Sequence, residues 1–228
     1  MIMNASLDLT PVLVFLDEIS KHNNKLWFEA NRNGYEEARE TFESFITLVI
    51  DEFRVADGLD GLTAKECISR IYRDIRFSKD KSPYQTHMWA VIAPGGKKTK
   101  HMGYYVAIQP QGRSIIAGGL WDPSSDQLSK FRQAIHLDAA PFKTIVQEEN
   151  FVDYFGRIEG NKLKIAPQGY DKAHPEIELL KMKQVMAVHY FSDNEVLAGN
   201  FIQRVIAGCK AMRPFLDYLQ DNVRTIDW

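Results

Sequence analysis

The feature that most restricts this chain is a change of period in its middle third. Residues 68–77, 88–93, 104–109 and 114–120 are short runs rich in β-branched and aromatic side chains, the composition of strands. Between the later runs lie Pro94-Gly95-Gly96 and Pro110-Gln111-Gly112, which are turn chemistry. Parallel neighbours need a crossover of about a dozen residues or more, and these connections are shorter. Successive strands are therefore expected to pair antiparallel, as a meander.

On either side of this stretch the period is helical. Thr10 can cap a first helix with Pro11 at its opening position, and Val12, Phe15, Leu16 and Ile19 form one apolar stripe. Asn23-Asn24 ends that helix and starts a short one carrying Trp27 and Phe28. After Asn33-Gly34 a longer helix places Tyr35, Ala38, Phe42, Phe45, Ile46, Val49, Ile50 and Phe53 on one face. Glu36 and Glu37 then fall in its first turn, where the helix dipole favours them. Further on, Pro123 can open a helix with Leu128, Phe131 and Ile135, and Asp138 can cap one with Phe142, Ile145 and Val146. Residues 185–191 read as a last strand. Ser192 and Glu195 have capping-box spacing, Gly199 suits a helix end, and a terminal helix over 200–222 should kink or divide at Pro214. The pattern is α+β: a single antiparallel, meander-like sheet of about five strands covered by N- and C-terminal helices.

There is no internal repeat, low-complexity tract or linker rich in Pro, Gly or Ser, so residues 1–228 read as one domain. With 45% hydrophobic and 25% charged residues the composition is that of a globular protein. Its formal net charge of -2 gives no general attraction to nucleic acid or to an anionic membrane. The opening residues lack the pattern of a secretory signal, and no apolar run approaches the ~18 residues of a membrane span. Cys67 and Cys209, far apart and in apolar settings, read as buried thiols of a cytoplasmic protein.

No phosphate-binding glycine loop, dinucleotide fingerprint, nucleophile elbow or H-E-x-x-H occurs, and the six histidines lack metal-ligand spacing. Neither a cofactor nor a metal is expected. The densest chemistry is R-I-Y-R-D-I-R-F-S-K-D-K-S-P-Y over residues 70–84. Its first twelve residues carry three arginines and two lysines against two aspartates, a net charge of +3. Strand alternation puts Arg70, Tyr72, Asp74 and Arg76 on one face and Ile71, Arg73, Ile75 and Phe77 on the other. Forked guanidinium groups beside a tyrosine hydroxyl can grip a phosphate or carboxylate, with Lys79 and Lys81 close in sequence. The alternative is a solvated sheet face laced with ion pairs. Lys97, Lys98 and Lys100 form a second basic cluster that reads as a hairpin tip or an anion contact. Gly118-Gly119 before Trp121 allows close approach of backbone or ligand, or a bulge.

At these residues the chain resembles the family known as domain of unknown function 2461. The resemblance rests on N-N-x-x-W-F-x-x-N from Asn23, Tyr35-Glu36-x-Ala38-Arg39, the run over 70–84 and Pro94-Gly95-Gly96. It continues through G-G-L-W-x-P from Gly118, P-x-G-Y from Pro167 and His174-Pro175. Gln85 and Gln168 stand where the family pattern more often has basic side chains. The resemblance implies a single domain and supplies no mechanism.

Three functions follow in order. The first is an Arg/Lys-rich pocket for a small anionic ligand, with or without catalysis, drawing on Arg70, Tyr72, Arg73, Asp74, Arg76, Lys79 and Lys81. The second is a protein-interaction module using a sheet face or an aromatic helix surface. The third is nucleic-acid binding, disfavoured by the acidic balance. No catalytic nucleophile or base is identified, and no membrane partner is expected.

Overall fold

The computed structural model describes residues 7–223. Among the described residues, ten α-helices and one antiparallel sheet make an α+β fold. The sheet has four strands, β1 (Met88–Ile92), β2 (Tyr104–Ile108), β3 (Ser114–Leu120) and β4 (Val185–Phe191), in the order β1-β2-β3-β4. Strands β1 and β2 pair from Met88 opposite Ile108 to Ile92 opposite Tyr104. The turn between β2 and β3 sets Gln111 and Gly112 at positive φ, and both their N–H groups donate to the Asp193 carboxylate at 2.9 Å.

The expected fifth strand over 68–77 does not form. Ile68 bridges Ala90 of β1 and Ser69 N–H donates to Trp89 O, but there the chain leaves the sheet edge. It pairs instead with its own continuation: Tyr72 bridges Tyr84, Arg73 N–H donates to Pro83 O, and Gln85 N–H donates to Ile71 O. Two aspartates end this ribbon. Asp74 accepts from the Arg76 N–H and Asp80 from the Ser82 N–H, local bonds that replace a ladder, while Pro83 has no N–H to extend one.

The chain forms two compact units. The first holds the sequence up to Thr99, then Tyr104–Ile116 and Tyr190–Ala207. It contains α1 (Thr10–Lys21), α2 (Lys25–Ala30), α3 (Arg32–Phe53) and α4 (Ala64–Cys67). The stripes read from the sequence are its core, with Val12, Leu16, Ile19, Phe42, Phe45 and Val49 inaccessible to solvent. Asn24 caps α2 by accepting the Trp27 N–H. Two end readings change. Thr10 lies inside α1 and its N–H donates to Asp8, and α3 begins at Arg32, so Glu36 and Glu37 fall beyond its first turn. Lys97, read as a possible anion contact, donates to the carbonyls of Lys65, Glu66 and Ile68, closing the end of α4. Gly96 packs there at φ 60, where a Cβ would stand 2.6 Å from Glu66 O.

The second unit holds Lys100–Gly103, Ala117–His189 and the chain from Gly208 on. Its helices include α5 (Ser125–Leu137), α6 (Ala140–Val146), α7 (Glu149–Phe155) and α8 (Ile177–Leu180). Ser124 with Gln127, rather than Pro123, caps α5. Gly118 and Gly119 are packing positions. A Cβ on the first would strike Met212 and Leu216, and one on the second the Val185 carbonyl. Helix α9 (Asp193–Val196) starts at the Ser192–Glu195 capping box, and α10 spans Phe201–Val223. Pro214 does not divide α10, because Cys209 and Met212 before it and Phe215, Leu216 and Leu219 after it are all buried. That burial offsets the one backbone bond a proline removes. No helix of the described residues is long and apolar enough to cross a membrane.

Candidate functional site

Residues 70–85 are seated by contacts on both arms of the ribbon. Asn23 holds one residue twice: its Nδ2 donates to Tyr84 O at 2.9 Å, and its Oδ1 accepts the Tyr84 N–H at 3.0 Å. The Tyr84 ring stacks on Phe28 of α2, with centroids 4.2 Å apart. Gln85 ties the other arm, donating to Arg70 O and accepting from the Trp89 indole N–H. The expected alternation survives as far as Asp74: Arg70, Tyr72 and Asp74 are exposed, Ile71 is buried and Arg73 is half-buried. It fails at the loop tip, where Arg76 and Phe77 both face solvent and Phe77 is 97% exposed.

The five cations of this segment have separate fates. Arg73 pairs with Asp80 and donates to Ser82 O. Arg76 pairs with Asp74 through Nε and Nη2. Lys81 donates to Ile75 O at 2.9 Å. The guanidinium of Arg70 and the ammonium of Lys79 make no hydrogen bond or ion pair among the described residues. Tyr72 packs against Tyr84 and Phe28. Two of the three arginines are thus loop ties.

The carboxyl of Asp80 is held down at about 2 by the Ser82 hydroxyl and N–H and then by Arg73. Such a lowered group adds stability above its ordinary range near 4, and that contribution disappears as pH falls toward 2. Asp80→Asn should therefore lower the thermal midpoint at pH 6, and the gap to wild type should close by pH 2. Solvent screening keeps the effect small. Melting curves across that range check it; a gap that does not depend on pH would mean Asp80 acts without its charge.

Arg70 lines a narrow cleft of about 10 Å³ with Tyr35 and Arg39 of α3, Ser69, His87 and Trp89. That volume matches one water or one oxygen atom of a ligand. Arg39 stands four residues after Tyr35 and three before Phe42, on the inner side of α3. Its Nε is buried without a hydrogen-bond partner. That Nε makes a long ion pair with Glu43 at 3.8 Å, a carboxylate shared with Lys65 at 3.7 Å. Burial, then the charge of Arg113, pushes His87 below its usual value, so its imidazole stays neutral at pH 7. Arg39 was not among the expected site residues; a charge on an apolar helix face was the available signal.

The model of the family described as "Conserved hypothetical protein (DUF2461)" matches residues 11–218. The chain belongs to this family. No curated protein and no solved structure matches it.

Within this DUF2461 chain, His174 and Pro175 lie in the second unit, beside α5. There the Glu176 N–H donates to His174 Nδ1, which leaves the hydrogen of a neutral ring on Nε2, 2.9 Å from His136 Nδ1. The edge of Tyr170 packs on His136, and Arg132, one turn earlier on α5, donates to Leu180 O and Met182 O. A metal on His174 Nε2 would force the proton onto Nδ1, against the Glu176 N–H. The pair is thus a hydrogen-bonded staple for the segment after α7. Among the described residues, no three His, Cys, Asp or Glu side chains are grouped to hold a metal.

Proposed function

We propose that this protein binds a small anionic ligand, with a phosphate or carboxylate group seated between Arg39 and Arg70. The observation that carries this reading is the Arg39 Nε, which is buried without a hydrogen bond and has only a long ion pair to a Glu43 shared with Lys65, in a cleft that the exposed Arg70 also lines. A buried donor without a hydrogen bond costs about 1–3 kcal/mol, and two like charges beside one cleft add repulsion that the long Glu43 pair offsets only in part. An oxyanion relieves both, and guanidinium forks match its geometry. Ser69 and Tyr35 also line this cleft, and Lys79 is a cation on the ribbon loop without a hydrogen bond or ion pair among the described residues. Arg73, Arg76, Asp74 and Lys81 serve the site by holding that loop. Binding is the activity proposed. Cys67 and Cys209 are buried and not joined in a disulfide, as suits a reducing compartment, and we place the protein in the cytoplasm.

Phe77 supports a second reading. A fully solvated phenyl ring with the Arg76 guanidinium 6.0 Å from its centroid is a contact feature of protein-interaction surfaces.

The test is the thermal midpoint against inorganic phosphate at constant ionic strength. Wild type should show a saturable rise. Arg39→Ala and Arg70→Ala should each weaken apparent affinity at least tenfold, about 1.4 kcal/mol. Arg76→Ala, which breaks only a loop tie, should keep the rise. No saturable rise in wild type, or one untouched by Arg70→Ala, defeats the anion reading.

A further inference from the structure

The narrow cleft is too small to hold a whole ligand. Beside it lies an open hollow of about 690 Å³ in the same unit, a volume ordinary for a small-molecule site. His87 lines both, so cleft and hollow meet at one side chain. The hollow is lined by residues with polar side chains, whose polar atoms make up more of its wall than their apolar parts. Several are already spent: Asn23 on Tyr84, Ser82 on Asp80, Gln85 on Arg70 and Trp89. The Thr86 hydroxyl, the Gln109 side-chain amide and the His87 imidazole make no hydrogen bond among the described residues, and the carboxylates of Asp74, bonded to Arg76, and of Asp80, bonded to Ser82 and Arg73, keep lone pairs that can still accept.

These groups have a chemical meaning when taken together. The cleft offers two positive charges and room for one oxygen atom of a ligand. The hollow offers neutral donors and acceptors with carboxylates, and its one arginine, Arg73, is neutralised by Asp80. A second anionic group would be repelled there, and an apolar body would leave the polar walls unsatisfied. Hydroxyl groups suit them, because each can donate to a carboxylate and accept from an amide or imidazole N–H.

We infer that cleft and hollow are the two halves of one site for a phosphorylated polyol. The phosphate lies against Arg39 and Arg70, and the hydroxyls of the body meet Thr86, His87, Gln109 and the Asp74–Asp80 rim. Two guanidinium groups match the double charge of a phosphate monoester better than the single charge of a carboxylate. This inference rests on the anion reading of the cleft.

The experiment is calorimetric titration of the full chain with glycerol, pentose and hexose phosphates. Comparison ligands are inorganic phosphate, the matching unphosphorylated polyols and a sugar acid. At least one polyol phosphate should bind tenfold or more tightly than inorganic phosphate and than the sugar acid, and the free polyols should bind far more weakly. A Thr86→Val, Gln109→Leu double variant should shrink that preference toward unity and leave phosphate affinity unchanged. If every polyol phosphate binds only as well as phosphate, and Arg70→Ala abolishes both, the anion cleft stands and the two-part site is wrong. A sugar acid that binds more tightly than every phosphate overturns the choice of phosphate. If nothing binds, both readings fall.

Discussion

Gly119→Ala should lower the free energy of unfolding by about 3 kcal/mol or more, into the range reserved for strained or overpacked sites. Gly119 lies inside β3 at φ 120, a conformation that side chains other than glycine rarely adopt. Its added Cβ would sit inside contact distance of the Val185 carbonyl, 3.0 Å from a Phe215 ring carbon and 3.2 Å from the Met186 Cα. Two of these neighbours are backbone, so they cannot turn aside. Gly118→Ala meets the Met212 and Leu216 side chains first, which can rotate, and should cost less. Gly112→Ala, at φ 69 with nothing within 4 Å, isolates the conformational part at about 1 kcal/mol. Urea unfolding of the three variants gives the order. If Gly119→Ala proves no worse than Gly112→Ala, the described seating of β3 beside Val185 is incorrect.

Phe28→Ala should cost about 3–5 kcal/mol and should loosen the ribbon as well. Phe28 is fully buried at the point where α2, α3 and the ribbon meet. Its ring lies 4.2 Å from Tyr84, 5.1 Å from Tyr35 and 6.2 Å from Tyr72. Removing it leaves a cavity under Tyr84, the residue that Asn23 clamps through both backbone groups. Hydrogen exchange provides the specific readout. The amides of Arg73 and Gln85, bonded across the ribbon to Pro83 O and Ile71 O, should exchange faster by a larger factor than those in α5. The phosphate-induced rise in midpoint should fall with them, since Arg70 and Tyr35 would lose their placement. Phe28→Leu, which refills most of the space, should restore much of both. Unchanged protection of Arg73 and Gln85 in the alanine variant would show that the ribbon stands without its aromatic floor.

What the sequence made legible follows the range of the forces involved. The stripes of α1 and α3 were readable because helical burial repeats within a few residues, and the Ser192–Glu195 box because a cap is local. The antiparallel order of β1 to β3 followed from short connections. Residues 68–77 misled because alternation records which side of the backbone is wet and says nothing about its partner. Here the partner arm lies about ten residues downstream, and Asp74 and Asp80 set where pairing stops. Division of the last helix at Pro214 fails for the opposite reason: a local penalty is outweighed by burial along both halves of α10. Of the candidate site, Arg70 was legible as a charge in a dense run. Its companion Arg39 lies far away in sequence, and only the fold brings the two to one cleft.

The first compact unit is completed only by Tyr190–Ala207. Phe201 stacks on Phe45 of α3 at 5.6 Å, and Phe191 meets Phe201 edge-on at 5.1 Å. A ribosome makes α3 long before it makes Phe201. Until Phe201 has been translated, the inner face of α3 waits without its aromatic cover. Folding of this unit therefore waits on a segment made about 150 residues after α3, and a chain cut short before it would present Phe45 to chaperones and proteases.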